Sequence, residues 1–184
     1  MVSSVCSNNY PTLVEEALVY ATEKHKGQKR KWGGQDYVFH PIAVADMLIS
    51  FGISDEKTLA AALLHDVVED TDTTIQDLRE KFGERVAELV WWLTDYKSEK
   101  EGNRETRKAI TNWKIVNAPL PAILIKLADI IDNGSTIKNG DVDFYTVFVK
   151  EKNVLLEKIM SKYIDKTEWR VLEDLYHEAM SRIT

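Results

Sequence analysis

Apolar residues recur every three or four positions along most of this chain, and that spacing predicts amphipathic helices rather than strands. One such segment follows Thr12, another occupies residues 41–52, and residues 122–131 are apolar on nearly every side. Alternating patterns typical of strands are few, and the most strand-like run, residues 144–149, is short. The pattern therefore predicts an all-α fold.

Polar residues mark where some of these helices should begin. Asp55 is suited to cap the helix that leads into the most polar motif of the chain. For the next helix, two overlapping pairs have the spacing of a capping box, Thr73 with Gln76 and Thr74 with Asp77. Both pairs predict a helix start at the same place.

The length of 184 residues suits one domain, so we expect residues 1–184 to form a single bundle, completed by helices in residues 142–184. The net charge of -6 argues against a nucleic-acid or anionic-membrane binder. Cys6 is the single cysteine, which fits a reducing compartment. We see neither a signal peptide nor an apolar run long enough to span a membrane, so the cytoplasm is the expected location.

Four ionisable residues, His65, Asp66, Glu69 and Asp70, follow an apolar helical run within six positions. On a continuous helix His65 lies four positions before Glu69, and Asp66 lies four before Asp70, so each pair would share a face. Imidazole and carboxylate groups are ligands for divalent transition metals, and additional carboxylates can orient a water. The motif therefore indicates a metal-dependent hydrolase.

Further metal ligands must come from other elements, because one helix cannot surround an ion. His40 lies at a predicted loop-to-helix junction and is followed by Pro41, whose ring restricts the backbone at that point. A fixed loop end of this kind suits a directed ligand. His25 and His177 are expected to be partly exposed surface residues. His40 is therefore the histidine most suited to join His65.

The apolar segment at residues 122–131 carries a charged group that needs an explanation. Lys126, Asp129 and Asn133 share one helical face, and a buried carboxylate is rare unless it is paired or bound to metal. One interpretation is a Lys126–Asp129 salt bridge. The other is that Asp129 is a metal ligand facing a pocket.

Basic residues are concentrated in the glycine-containing segment at residues 26–39, which we predict to be a loop. They form either a solvated helix end or a local site for phosphate. The basic residues of this loop are Lys26, Lys29, Arg30 and Lys31, and Lys24 lies just before it.

Taken in order, these segments resemble the hydrolase domain of the RelA/SpoT homologues, within the HD superfamily. The chain is most similar to the stand-alone small alarmone hydrolases of the metazoan SpoT homologue type, and the resemblance covers residues 13–137. It rests on His40 in a Tyr-x-x-His-Pro context, on His65-Asp66 followed by Glu69-Asp70, and on Lys126-x-x-Asp129-x-x-x-Asn133.

The resemblance implies an HD-type helical bundle that removes pyrophosphate from the ribose 3′ position of ppGpp or pppGpp, an alarmone hydrolase of the stringent response. It implies a small-molecule nucleotide as the binding partner, with neither nucleic acid nor membrane, and leaves open whether the chain forms a homodimer. It implies one Mn2+ ion held by His40, His65, Asp66 and Asp129, a water oriented by Glu69 and Asp70, and substrate contacts from Arg30, Lys31, Tyr37 and Asn133.

Two positions depart from the family pattern. Ile130 stands where a basic residue is usual, and Ser135 stands where an arginine is usual, while Asp132 adds an acid nearby. Another substrate therefore stays open: an adenine alarmone, a phosphorylated dinucleotide such as NADPH, or a nucleoside monophosphate. A non-catalytic module that senses a nucleotide is the alternative of another class. Other basic residues that could serve the pocket are Lys97, Arg104, Arg107 and Lys108.

Overall fold

In the computed structural model, residues 12–95, 103–138, 140–163 and 169–183 are described, and all regular elements within these ranges are helices. The predicted all-α fold is therefore confirmed. The helices are α1 (Thr12–Lys24), α2 (Phe39–Ser50), α3 (Glu56–Leu64), α4 (Val67–Asp70), α5 (Ile75–Phe82), α6 (Glu84–Leu93), α7 (Arg104–Asn117), α8 (Leu120–Ile137), α9 (Val142–Tyr163) and α10 (Trp169–Ile183).

The core is built around two helices that are buried over most of their length, α3 and α8. Helix α3 packs against α1, α2 and α6, so each of its residues from 58 to 64 is buried. Helix α8 packs against α2, α6 and α10. Its apolar run is buried from Ala122 to Ile125 and again from Leu127 to Ile131. The C-terminal helix α10 also contacts α9, so both helices belong to the same packed body. Among the described helices, we find none whose length and apolar content would let it cross a bilayer.

The predicted capping residues occupy the helix starts. The side chain of Asp55 accepts a hydrogen bond from the backbone N–H of Thr58 at 2.9 Å and so caps α3. Thr74 and Asp77 form a reciprocal capping box at the start of α5. The overlapping pair is not the box, because Thr73 is buried and its hydroxyl is engaged with that of Thr71 at 2.9 Å.

The polar motif does not lie on one continuous helix, which corrects the expectation from its spacing. Helix α3 ends at Leu64 and α4 begins at Val67, so His65 and Asp66 lie in the turn between them. The imidazole Nδ1 of His65 donates to the carbonyl of Ala62 at 2.7 Å. In an uninterrupted helix the N–H of Asp66 would use that carbonyl, and the imidazole competes with it. The break lets both side chains turn towards α2 and α8.

Candidate metal centre

Three parts of the fold bring His40, His65, Asp66 and Asp129 together. His40 is the second residue of α2, His65 and Asp66 occupy the break after α3, and Asp129 lies in the middle of α8. Because α2 packs on both α3 and α8, residues far apart in sequence meet at one point. The two histidines and Asp129 are buried, whereas Asp66 is partly exposed.

The ligand atoms of this cluster lie close enough to share one ion. One ligand atom each of His40, His65 and Asp66 lies within 4.8 Å of the others. The Nε2 atom of His40 is 3.5 Å from Asp66 Oδ2 and 3.2 Å from Asp129 Oδ1. The Nε2 atom of His65 is 3.1 Å from Asp66 Oδ2 and 3.9 Å from Asp129 Oδ1.

The hydrogen bonding of the two imidazoles leaves their Nε2 atoms for a metal. The Nδ1 atom of His40 donates to Asp132 Oδ2 at 2.6 Å, and that of His65 donates to the Ala62 carbonyl. Both Nε2 atoms are buried, and although carboxylate oxygens lie as near as 3.1 Å, neither nitrogen makes a hydrogen bond of good geometry with the described residues. A buried polar atom in this state is costly unless another group satisfies it. Imidazole nitrogens and carboxylate oxygens converging in this way fit a divalent cation.

The charges of the cluster stabilise one another. Burial lowers the pKa of His40, but the carboxylates of Asp129, Asp132 and Asp66 outweigh it, so the pKa lies well above its ordinary value. Burial raises the pKa of Asp66, but His65 and His40 outweigh it, so that pKa lies well below the ordinary carboxyl range. A cation placed among these groups would meet ionised carboxylates.

Asp129 is placed for both arrangements that the sequence left open. Its Oδ2 atom lies 2.8 Å from Lys126 Nζ, and its Oδ1 atom faces the histidines and accepts a hydrogen bond from the side chain of Asn133. The helical face shared by Lys126, Asp129 and Asn133 is therefore confirmed. The salt bridge and a metal contact are compatible, because each uses a different oxygen.

Tyr37 and His25 lie against the cluster. The hydroxyl of Tyr37 donates to Asp66 Oδ2 at 2.6 Å, and its ring lies 5.8 Å from that of His40. His25 is buried, with its ring 4.8 Å from that of Tyr37 and its Nδ1 atom 2.8 Å from Gln28 Oε1. The expectation that His25 is a surface residue was wrong, because the loop after α1 folds back over it. His177, by contrast, is exposed as expected.

Glu69 and Asp70 have different surroundings. The Oε1 atom of Glu69 accepts a hydrogen bond from the backbone N–H of Asp95, and burial together with the Asp95 carboxylate raises the pKa of Glu69. Asp70 is exposed, and its backbone carbonyl accepts from Gln28 Nε2 at 2.8 Å. The two carboxylates predicted to serve the water are thus not equivalent.

The two basic residues predicted to contact substrate point to different places. Arg30 reaches α8, where its guanidinium donates to Asn133 at 3.1 Å, to Asp132 at 3.1 Å and to Thr136 at 3.2 Å. Lys31 is exposed, with its Nζ atom 4.5 Å from the ring centre of Trp32. The fold brings Arg30 beside the cluster and places Lys31 on an aromatic surface.

This site agrees with the comparison of the chain with known protein families. A family model described as an HD domain matches residues 17–143. The chain belongs to the HD-domain family. The match includes α2, α3, α4 and α8, together with the turn that carries His65 and Asp66. It therefore includes all four clustered residues.

Two relatives of this HD domain have names that refer to hydrolysis of guanosine-3′,5′-bis(diphosphate) or (p)ppGpp. A guanosine-3′,5′-bis(diphosphate) 3′-pyrophosphohydrolase from Aquifex aeolicus is 45% identical over 139 residues, which are 71% of this chain and 19% of that protein. The bifunctional (p)ppGpp synthase/hydrolase SpoT of Escherichia coli is 39% identical over 127 residues, which are 67% of this chain and 18% of that protein. The chain thus spans about a fifth of the length of these relatives.

One solved structure matches this HD domain over almost its whole length. It is a metazoan ortholog of SpoT, described as hydrolyzing ppGpp and as having a role in starvation responses. The two chains share 32% identity with a TM-score of 0.74, and the match covers 94% of this chain and 96% of that one. The resemblance stated from the motifs is therefore confirmed.

The other basic residues that the sequence suggested for the pocket have different surroundings. Lys108 lies 3.2 Å from Asp95, and Arg104 pairs with Glu151 at 2.8 Å, so both contact acids of the same chain. Arg107 lies on α7, and Lys97 falls outside the described residues. Sequence reasoning missed Lys152 of α9, whose charge interacts with those of Lys126 and Asp129.

Proposed function

We propose that this chain is a Mn2+-dependent hydrolase that removes pyrophosphate from the 3′ position of ppGpp or pppGpp and leaves GDP or GTP. The observation that carries the proposal is the convergence of two buried imidazole nitrogens with the carboxylates of Asp66 and Asp129. It occurs in a chain that matches nearly all of a solved relative described as hydrolyzing ppGpp.

In this proposal His40, His65, Asp66 and Asp129 hold one Mn2+ ion. The mixed nitrogen and oxygen donor set suits Mn2+, although other divalent metals accept the same ligands. When bound, such an ion supplies Lewis-acid chemistry, which polarises phosphoryl oxygens and eases the deprotonation of water. Tyr37 assists by donating to Asp66, which fixes the direction of that carboxylate.

Glu69 is the group that we assign to proton transfer from the attacking water. Its pKa is raised by burial and by Asp95, which brings a carboxylate closer to the range useful for a general base. The backbone N–H of Asp95 restrains Oε1 of Glu69. The exposed carboxylate of Asp70 is assigned to orienting the same water from the solvent side.

The proposed substrate contacts come from the loop between α1 and α2 and from α8. Arg30 and Asn133 already contact each other at 3.1 Å, and we assign Arg30 to phosphate and Asn133 to the ribose. The Nζ atom of Lys31 lies over the ring of Trp32 and 5.0 Å from the ring centre of Phe144. We assign Lys31 to the base of the nucleotide. Cationic groups at this edge offset the negative charge of substrate and leaving group.

The test is hydrolysis of ppGpp by the purified chain in the presence of Mn2+. We expect pyrophosphate and GDP in equal amounts. The Asp66→Ala variant should lose Mn2+ binding, whereas Glu69→Gln should retain Mn2+ and lose turnover by a factor of about 100 or more. Absence of turnover with every divalent metal tried would contradict the proposal, and full activity of Glu69→Gln would contradict the role given to Glu69.

A second candidate is hydrolysis of a different phosphorylated nucleotide, and the α8 edge favours testing it. Ile130 is fully buried, and Asp132 places a carboxylate 3.1 Å from Arg30. That edge offers less positive charge than the family pattern. Adenine alarmones, NADPH and nucleoside monophosphates should therefore be compared with ppGpp by phosphate and pyrophosphate release. Tight nucleotide binding without hydrolysis would instead favour a sensing module.

A further inference from the structure

Asp132 lies between the metal cluster and the loop that carries Arg30. Its Oδ2 atom accepts a hydrogen bond from His40 Nδ1 at 2.6 Å and another from the Arg30 guanidinium at 3.1 Å. His40 is buried, with 1% of its side chain exposed, and Arg30 is 11% exposed. One carboxylate oxygen therefore joins a proposed metal ligand to a proposed substrate contact.

The bond to His40 determines how that imidazole faces the cluster. In the neutral form that binds a metal, an imidazole whose Nδ1–H donates to a carboxylate has its Nε2 lone pair directed to the opposite side of the ring. In His40 that side faces Asp66 and Asp129. A carboxylate in this position also makes the ring a stronger electron donor, and losing such a partner typically weakens metal binding about 10- to 100-fold.

The bonds to Arg30 are distributed differently. Its guanidinium has two further acceptors on α8, Asn133 at 3.1 Å and Thr136 at 3.2 Å. Loss of Asp132 would leave these two contacts in place but remove the ionised partner. Arg30 would keep its approximate position and gain freedom to move, whereas the buried Nδ1 atom of His40 would lose a charged acceptor.

We infer that Asp132 is a positioning residue that couples the two halves of the site. It orients the His40 imidazole towards the metal and holds the Arg30 guanidinium at the edge where substrate enters. The part concerning Arg30 rests on the proposed function. The part concerning His40 concerns metal binding alone, so it is tested without substrate.

The first experiment measures Mn2+ binding to the metal-free protein by isothermal titration calorimetry. Asp132→Ala should weaken binding about 10- to 100-fold, and the nearly isosteric Asp132→Asn should weaken it about tenfold. Thr136→Val is the matched control, because it removes another acceptor of Arg30 without touching His40. Its Mn2+ affinity should stay within about twofold of the wild-type value. Circular dichroism shows whether each variant is folded. If Asp132→Ala does not fold, the result for Asp132→Asn tests the inference.

The second experiment measures ppGpp hydrolysis at Mn2+ concentrations that saturate each variant. Arg30→Met should raise KM without changing Mn2+ affinity. Asp132→Asn should raise KM as well as the Mn2+ dissociation constant, and combining it with Arg30→Met should raise KM by less than the product of the single effects. If Asp132 contributed only to general packing, its replacement would not change the Mn2+ dissociation constant and KM in this pattern.

The outcomes separate the inference from the proposed function. If the wild-type chain binds Mn2+ and both Asp132 variants bind it more weakly, but ppGpp is not hydrolysed, the proposed function fails and the orientation of His40 stands. If folded Asp132 variants bind Mn2+ within about twofold of wild type, or if the wild-type chain binds no divalent ion, the inference is overturned. An unchanged KM at saturating Mn2+ would overturn the coupling to Arg30.

Discussion

Replacing Lys126 with methionine should reveal how strongly the α8 ion pair supports the fold. The Nζ atom of Lys126 lies 2.8 Å from Asp129 Oδ2, with 14% and 6% of the two side chains exposed. Burial lowers the pKa of Lys126, but Asp129 and other carboxylates outweigh it and raise the pKa overall. The lysine is therefore charged, and Lys126→Met leaves the Asp129 carboxylate without its ammonium partner.

The magnitude follows from the distance and the burial. At an effective dielectric constant of about 20, unit charges 2.8 Å apart attract by about 6 kcal/mol. Methionine removes the desolvation cost of the ammonium, so the net loss is smaller, and breaking a buried pair by removing one partner typically costs about 3–5 kcal/mol. We expect the free energy of unfolding to fall by about 3 kcal/mol or more in the absence of divalent metal.

The assay is urea denaturation followed by tryptophan fluorescence, in EDTA and then in excess Mn2+. Lys138→Met is the control, since Lys138 is exposed at the end of the same helix and should change stability by less than about 0.5 kcal/mol. Adding Mn2+ should reduce the deficit of Lys126→Met, because the cation supplies positive charge beside Asp129. A loss below about 1 kcal/mol in EDTA would refute this account of the ion pair.

Three further predictions concern metal, charge and hydrogen bonding. EDTA should abolish ppGpp hydrolysis and added Mn2+ should restore it, so activity that persists after complete chelation would contradict a metal-dependent reaction. Burial, aided by Lys126, lowers the pKa of Lys152 from 10.5 to about 8, so its charge opposes folding at neutral pH. Lys152→Met should raise the free energy of unfolding at pH 7 by roughly 1–3 kcal/mol, and urea titrations should show this gain fading between pH 8 and 10.5. Tyr37→Phe should weaken Mn2+ binding about tenfold in calorimetry, because Asp66 loses its hydroxyl donor, and an unchanged affinity would exclude that role.

Local sequence patterns were sufficient to predict most of the helices and several of their ends. Asp55 and the Thr74–Asp77 capping box act over three residues, so the relevant physics lies within the pattern itself. Lys126, Asp129 and Asn133 were placed on one face for the same reason. The grouping of His40 with His65 was also correct, although it depended on the family resemblance as well as on spacing.

Features that depend on tertiary packing were beyond the sequence patterns. The interruption between α3 and α4 coincides with a hydrogen bond from the His65 side chain to the Ala62 carbonyl, and helical periodicity carries no signal for such a bond. His25 was assigned to the surface because it lies in a charged run, yet the following loop buries it. Asp132 was noted only as an additional charge, because its two partners come from residues about one hundred positions away.

The different anchoring of the two imidazoles has a consequence for how this site can diverge. His65 is held by the main-chain carbonyl of Ala62. That carbonyl remains present after any substitution of the Ala62 side chain. His40 is held by the side chain of Asp132, which a single codon change can replace. Evolution can therefore retune the site in small steps through the α2–α8 contact, while the α3 turn keeps the second imidazole fixed.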